Sequence, residues 1–325
     1  MQRKAQQLAA QRSQTWRHSG TVITIAICTH NRSQLLDRTL GRLGEIAVPR
    51  RRAWEVLVVD NRCTDDTDTV LERHTGRLPL RRARQDRLGL SNARNAAMDH
   101  ARGSYILWTD DDVLVDGNWL QAYEAAFDRH PDAAVFGGPI APWFQSDPPV
   151  WIVENWDLLS SAYAARDLGH TAIPFNAGSN AVPYGANFCV RTDVQRMHRY
   201  DPALGRNGRR VVLGEEVDVV RRILAAGHEG WWVPEAGVRH WIPAERLSKR
   251  YVAEYFRGLG RTCSLTEPCE DAARWFGVPR WWYRELLERA LRYAWCCPGG
   301  WTRDRVRALC DLETSVGRIL AKWNT

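Results

Sequence analysis

The chain has 325 residues, 44% of them hydrophobic and 26% charged. That balance suits a globular protein with a real core and excludes disordered, collagenous and disulfide-scaffold classes. The 45 basic residues outnumber the 38 acids by seven, but acids are interspersed almost throughout, so no basic stripe of the nucleic-acid type is present.

Residues 1–19 hold four basic residues and no acid. They read as a flexible tail, with a short amphipathic helix on an anionic surface as the alternative. Order is expected from Thr21, where TVITIAICT is a β-branched apolar run of the kind that forms a buried strand. Ser33 is placed to cap a helix whose Leu35, Leu36, Thr39, Leu40 and Leu43 recur at helical spacing. EVLVVD (55–60) predicts a second strand, Asp65 and Asp66 open a helix, and LPLRRAR (78–84) is a weaker third strand. A helix over 91–101, a strand over 104–110, a helix from Asp116-Gly117 to Phe127 and a strand over 133–138 follow.

Strands alternating with helices predict an α/β fold with a mostly parallel central sheet. Ligands of such sheets bind beyond the carboxyl ends of the strands. Thr29-His30-Asn31-Arg32, Asp60-Asn61 and Asp110-Asp111-Asp112 all fall at those ends. From Pro139 to about Gly185 the pattern gives way to a stretch rich in Pro, Trp and Gly. A helix opens at Gly214 and runs to Ala226, and after Leu247 the chain reads as helical and Trp-rich. The expected division is a tail (1–19), an α/β domain (20–247, in halves 20–138 and 139–247) and a helical extension (248–325).

No run of eighteen apolar residues occurs, so no bilayer-spanning helix is expected, and residues 1–20 lack the apolar segment of a secretory signal. None of the eight cysteines forms a C-x-x-C pair. That argues against structural zinc and for a reduced, cytoplasmic protein. Only Lys4, Lys249 and Lys322 are lysines among the 45 bases. The arginine excess fits phosphate recognition, and compositional bias explains it equally well.

Three features carry chemistry. The carboxylates 110–112 repel one another unless a cation or donors compensate, and hard cations such as Mg²⁺ use one or two carboxylates together with substrate phosphates. A solvated acidic turn is the plainer reading. GEEVD (214–218) puts acids in the first turn of a helix, where the macrodipole favours them, or aims one into a cleft as a general base. His240 follows a short β-like run. It is either a satisfied core residue or an imidazole ligand, which suits Mn²⁺ better than Mg²⁺.

The order strand–THNR, strand–VVDN, arginine-containing loop (84–95), strand–TDDD, YGANF (184–188), GEEVD, VRH resembles the family 2 glycosyltransferases over roughly Thr21 to Thr262. The resemblance implies the A-type nucleotide-sugar fold and inverting transfer from a nucleotide-diphosphate sugar, usually of UDP. It implies that Thr29, Asn31 and Arg32 line the nucleotide pocket and that Asp60 binds the base. Arg87 and Arg94 would reach the donor, Asp110 would touch the ribose, and Asp111 would belong to the same donor site. Asp112 would hold a Mn or Mg ion, completed by His240, and Glu216 would be the base. The family usually has Glu-Asp where this chain has Glu215-Glu216, so Glu215 is a rival.

For the acceptor, Asn187 matches a family position, and Trp143, Trp151 and Trp156 offer flat faces for sugar rings or pack the added segment. The implied acceptor is a glycan or glycolipid intermediate of polysaccharide synthesis. Trp275, Trp281, Trp282, Trp295 and Trp301 lie among arginines. They read as a helical cap or as a peripheral contact with anionic lipid at the inner face of the membrane. A nucleotidyltransferase making nucleotide-sugars would want a Gly-rich phosphate loop where THNRSQ has no glycine. A non-catalytic sugar- or lipid-binding module would not need Asp112, Glu216 and His240 together.

Overall fold

A computed structural model describes residues 22–176, 178, 181–205, 212–266, 273–296 and 300–323. The N-terminal tail and Thr21 lie outside the described residues. The chain divides into two compact units that interleave along the sequence. Met1–Trp143, Ala164–Pro202 and Glu215–Trp241 form one, and Phe144–Tyr163, Ala203–Gly214 and Ile242–Thr325 form the other.

The first unit is built on a seven-stranded sheet. Its strands are β1 (Val22–Thr29), β2 (Ala53–Asp60), β3 (Leu80–Arg84), β4 (Tyr105–Asp110), β6 (Val135–Gly137), β8 (Phe188–Arg191) and β9 (Gly230–Trp232). A smaller sheet holds β5 (Val113–Val115), β7 (Ile140–Phe144) and β10 (Val238–Ile242). The large sheet runs β3-β2-β1-β4-β8-β6-β9. β3, β2, β1 and β4 run parallel to one another, as do β6 and β9; β8 is antiparallel to both β4 and β6. The mostly parallel expectation therefore holds, with one reversed strand that the sequence did not announce.

The apolar runs of β1 and β2 follow from burial on two faces, which removes the need to alternate. Ile23, Ile25 and Ile27 pack with Leu36 and Leu40 on one side. Ala26, Leu57 and Val59 pack with Ala93 and Ala97 on the other. The pairing register sets Thr29 opposite Asp60, Cys28 opposite Asp110 and Asp60 opposite Arg84. The three polar motifs thus lie side by side at one sheet edge.

One expected cap is replaced. Ser33 is the first residue of the Ser33–Leu43 helix, which has no side-chain cap from its own N-cap position. The Ser33 amide instead donates to Asp65 Oδ2 at 2.8 Å, from the loop after β2. The orphan amide is satisfied by a residue 32 positions away, which leaves no local signal.

The second unit is helical, as the C-terminal reading expected. The helices Lys249–Thr266 and Arg303–Trp323 meet backbone to backbone. A Cβ on Gly260 would lie 2.0 Å from the Thr314 carbonyl oxygen, and one on Gly317 would lie 2.0 Å from that of Arg257. Trp156 stacks on Tyr163, and Trp151 leans on Trp301, within the unit's own apolar cluster. A hairpin pairs Arg274–Trp275 with Val278–Pro279 and precedes the Arg280–Trp295 helix. Among the described residues, no helix is long and apolar enough to cross a membrane.

Candidate active site

The end of β4 delivers three carboxylates with different surroundings. Asp110 keeps a side chain 34% exposed, whereas Asp111 and Asp112 are buried. Asp111 accepts from Thr29 Oγ1 and from Arg32 Nη1, both at 2.7 Å. Burial pushes its carboxyl up to about 7, against the pull of Arg32. Arg32 also pairs with Asp112 Oδ2. The repulsion expected among the acids is therefore relieved by one guanidinium from the loop after β1.

These bonds engage three residues expected at the nucleotide. The Thr29 hydroxyl and the Asp111 carboxylate bond to each other beneath the surface. Arg32 is a partner of the acids before it is a wall of any pocket.

The other oxygen of Asp112 points to His240. His240 Nε2 lies 3.4 Å from Asp112 Oδ1, and both residues are buried. β10 holds the histidine there: His240 pairs with Val113, and the Trp241 amide donates to the Asp112 carbonyl at 2.9 Å. Among the described residues, no group of three or more His, Cys, Asp or Glu side chains closes on one point. A carboxylate and an imidazole facing each other fit a divalent ion that takes its remaining ligands from water and a diphosphate, as Mg²⁺ and Mn²⁺ sites commonly do.

Asp60 and Asn61 end β2 with separate tasks. Asp60 Oδ1 accepts from the Cys63 amide at 2.7 Å, and Oδ2 pairs with Arg82. Burial raises this carboxyl, but the Arg82 and Cys63 hydrogen bonds outweigh it and hold the group below its ordinary value. Asp60, Arg62, Asp65, Arg82 and Arg84 help to line a cleft of about 420 Å³. Asn61 clamps the next loop. Its amide nitrogen donates to the Gln85 and Arg87 carbonyls, both at 2.8 Å, and its oxygen accepts from the Gly89 amide at 2.9 Å. That leaves the Arg87 side chain exposed on a fixed backbone. Asn31, also exposed, takes a positive φ of 52° and ties its side chain to the Thr64 amide at 2.7 Å.

The second carboxylate pair opens the Glu215–Ala225 helix. Glu215 Oε1 lies 3.0 Å from Arg94 Nη1 and its side chain is 7% exposed. Burial and the neighbouring Glu216 push its carboxyl up to about 7 despite the arginine. Glu216 is more open, at 16%. Its Oε1 accepts from the Gly185 amide at 3.2 Å, and its Oε2 lies 3.7 Å from Arg94.

Arg94 was expected at the donor. It is 3% exposed and enclosed by the rings of Trp108, Phe188 and Tyr200. It touches Glu215 and Glu216 and comes within 3.8 Å of Asp110 Oδ1. It is the hub of the acids and is shut off from solvent. A Cβ on Gly185 would stand 2.5 Å from Arg94 Nη2, so a side chain there would push the guanidinium away from its acids. The glycine of YGANF was the available signal, and spacing alone did not give its meaning.

Asn187, expected to meet the acceptor, is fully buried. Its oxygen accepts from Trp119 Nε1 and Tyr123 Oη, both at 2.9 Å. Its nitrogen donates to the Pro139 carbonyl at 2.9 Å and to that of Ala236 at 2.7 Å. Every hydrogen-bonding direction is used within the protein, so it is a structural bolt. Trp151 and Trp156 pack in the helical unit, as described. Trp143 belongs to the α/β unit, half-buried against Trp241 and beside Arg239.

Comparison with known proteins gives a consistent picture. The profile of Glycosyl transferase family 2 matches residues 24–182. The succinoglycan biosynthesis protein ExoM of Rhizobium meliloti is 28% identical over 246 residues, 74% of this chain and 73% of that one. The mannosyltransferase PcManGT of Pyrobaculum calidifontis, solved with GDP-Man and Mn²⁺, superposes with a TM-score of 0.61 at 15% identity, covering 99% of this chain and 96% of the other. TarS 1-349 of S. aureus, solved with UDP-GlcNAc, gives 0.53 at 15% identity, with 90% of each chain covered.

Proposed function

Because the chain belongs to glycosyl transferase family 2, we propose that it transfers a sugar from a UDP-sugar to a hydroxyl group, with inversion and with a divalent metal. The acceptor is a glycan or lipid-linked intermediate of polysaccharide synthesis, a reading supported by the succinoglycan role in the name of the ExoM relative. The proposed place of the reaction is the cytoplasm. As a glycosyltransferase, the chain is neither a nucleotidyltransferase nor a non-catalytic sugar- or lipid-binding module.

One observation carries the reading: a single buried guanidinium, Arg94, touches both Glu216 and Asp110. It ties the proposed base to the end of the strand that carries the metal-site acid. Glu216 is the base because it is the more open of the pair and is oriented by the Gly185 amide. Its carboxylate takes the acceptor proton while the hydroxyl oxygen bonds to the anomeric carbon. The bond from that carbon to the diphosphate breaks, and the electron pair leaves with the diphosphate. Asp112 and His240 would hold a divalent metal, which when bound would neutralise the charge that develops there. Asp60 and Arg87 flank the base of the nucleotide, Asp110 meets the ribose, and Trp143 remains the acceptor-side aromatic. Glu215 holds Arg94 in place.

Titration calorimetry with UDP, dTDP and GDP, each with and without Mn²⁺, tests the donor and the metal. The expected result is UDP binding that depends on Mn²⁺, is abolished in Asp112→Asn, and loses metal affinity by about 10- to 100-fold or more in His240→Ala. Equal UDP affinity with and without Mn²⁺ in all three proteins would overturn the metal assignment. A product that keeps the donor's anomeric configuration, read by NMR, would overturn inversion.

A further inference from the structure

The helical unit exposes an aromatic surface that no step of the proposed transfer uses. At the tip of the Arg274–Pro279 hairpin, Trp275 is 53% exposed and Phe276 89%. On the helix that follows, Trp281, Leu287, Leu291 and Trp295 are exposed. Leu287, Leu291 and Trp295 recur every four residues and so share one face. Trp323 is also exposed, beside Tyr283.

Two observations say what this surface meets. The first is the charge among the apolar side chains. Arg280, Arg284 and Arg292 lie on the same exposed arc, interleaved with Leu291 and Trp295, and Glu288 is the acid on that arc. Glu288 already pairs with Arg284 at 2.8 Å, Asp311 stands 3.9 Å from Arg292, and Arg280 lies over the Trp275 ring with no carboxylate of that arc left for it. A dry protein interface would have to bury guanidinium groups without enough carboxylates, and a second copy would bring like charge to like. A headgroup layer supplies phosphates to the arginines and a boundary that suits indole rings.

The second is the backbone at the tip. Phe276 has a φ of 48° and Gly277 one of 77°, so both central residues of the hairpin turn are left-handed. Asn-Gly is the favoured pair for that turn, and a bulky residue there is strained. The chain keeps a strained phenylalanine where it is most exposed, and such strain points to function.

We propose that the Trp275–Phe276 tip and the exposed arc of the Arg280–Trp295 helix form a docking surface for an anionic lipid bilayer. Phe276 and Trp295 enter the boundary between headgroups and acyl chains, while Arg280, Arg284 and Arg292 engage lipid phosphates. This surface is independent of the transfer chemistry, so its failure leaves the proposed reaction standing.

The test is vesicle flotation of the full chain, with phosphatidylcholine alone and with equal parts phosphatidylcholine and phosphatidylglycerol. Binding is expected only to the anionic vesicles and is expected to fall with salt. Phe276→Asn relieves the turn, so it should keep or raise the melting temperature while weakening binding roughly 10-fold or more, from the lost apolar insertion. Arg284→Gln with Arg292→Gln should cost roughly fivefold per charge removed. UDP binding should be unchanged in all of these variants. Equal flotation of wild type and Phe276→Asn, or equal binding to both vesicle types, would overturn the proposal. So would a Phe276→Asn variant that shifts sedimentation of the protein alone without changing flotation, because that result makes the surface a self-association face.

Discussion

Two clusters of acid stand at the candidate site, and each is compensated by one arginine in a different way. Arg32, with a side chain 34% exposed, bridges Asp111 and Asp112 from a loop. Arg94, with a side chain 4% exposed and ringed by aromatic residues, holds Glu215, Glu216 and Asp110 from inside a helix. A half-exposed guanidinium is able to exchange its carboxylate for a ligand. One sealed under Trp108, Phe188 and Tyr200 is part of the frame. The first arginine stays partly open to solvent and the second is shut away from it.

The sharpest way to break that contrast is to neutralise the two glutamates in turn. Glu216→Gln should retain UDP-sugar binding and lose about 10²–10⁴-fold in transfer rate, the usual worth of a general base. Glu215→Gln should cost less in kcat. Steady-state rates with the larger loss at Glu215 would exchange the two roles.

Removing the sealed arginine should act on the fold. Arg94→Met leaves three carboxylates around an uncharged thioether and should destabilise the protein by about 3–5 kcal/mol, as breaking a buried pair does. Urea unfolding measures this directly. Pairing Arg94→Met with Glu215→Gln should restore part of the loss, because the worst-buried carboxylate has gone. A double variant no more stable than Arg94→Met alone would mean that the two groups are not coupled.

The smallest effect is a pH dependence. The Glu215 carboxyl titrates at about 7 in the folded chain, against an ordinary 4.5. Within that window the folded chain holds a proton that the unfolded chain has released, so this group lowers stability as pH rises from 4.5 to 7. Below the window both states are protonated and the group contributes nothing. Wild type should therefore lose stability relative to Glu215→Gln across that range and run parallel to it on either side. Parallel curves throughout would mean that Arg94 fully compensates the charge.

Most of the sheet was legible because its strands are buried on two faces and so read as unbroken apolar runs, as in Ile23–Ile27 and Val56–Val59. β8 was not, since four residues beginning at the last one of YGANF offer no run long enough to recognise. At the site, the acids were legible and their partners were not. Thr29 and Asp111 are 82 residues apart, and Arg94 and Glu215 are 121. Spacing identifies residues that act on a common ligand, but it cannot say which of them are consumed by each other. Asn187 is the clearest case: its amide bonds Trp119, Tyr123 and two carbonyls, none of which its own segment reveals. The cap on Ser33 failed for the same reason, its acceptor lying in another loop.

The reversed strand has a consequence for the order in which the molecule can assemble. β3, β2, β1 and β4 pair with one another and are complete in the chain once Asp110 has been made. β6 has no such freedom. Its partners are β8 and β9, so Val135–Gly137 must wait for Phe188–Arg191, and β4 presents an open edge until the same residues arrive. At the usual pace of synthesis, that interval lasts on the order of ten seconds. During it, an apolar edge stands ready to pair with any strand at hand. The half that ends in Asp110 is complete in the chain first, while the half that brings Glu216 must pair over longer loops and at a greater entropic cost.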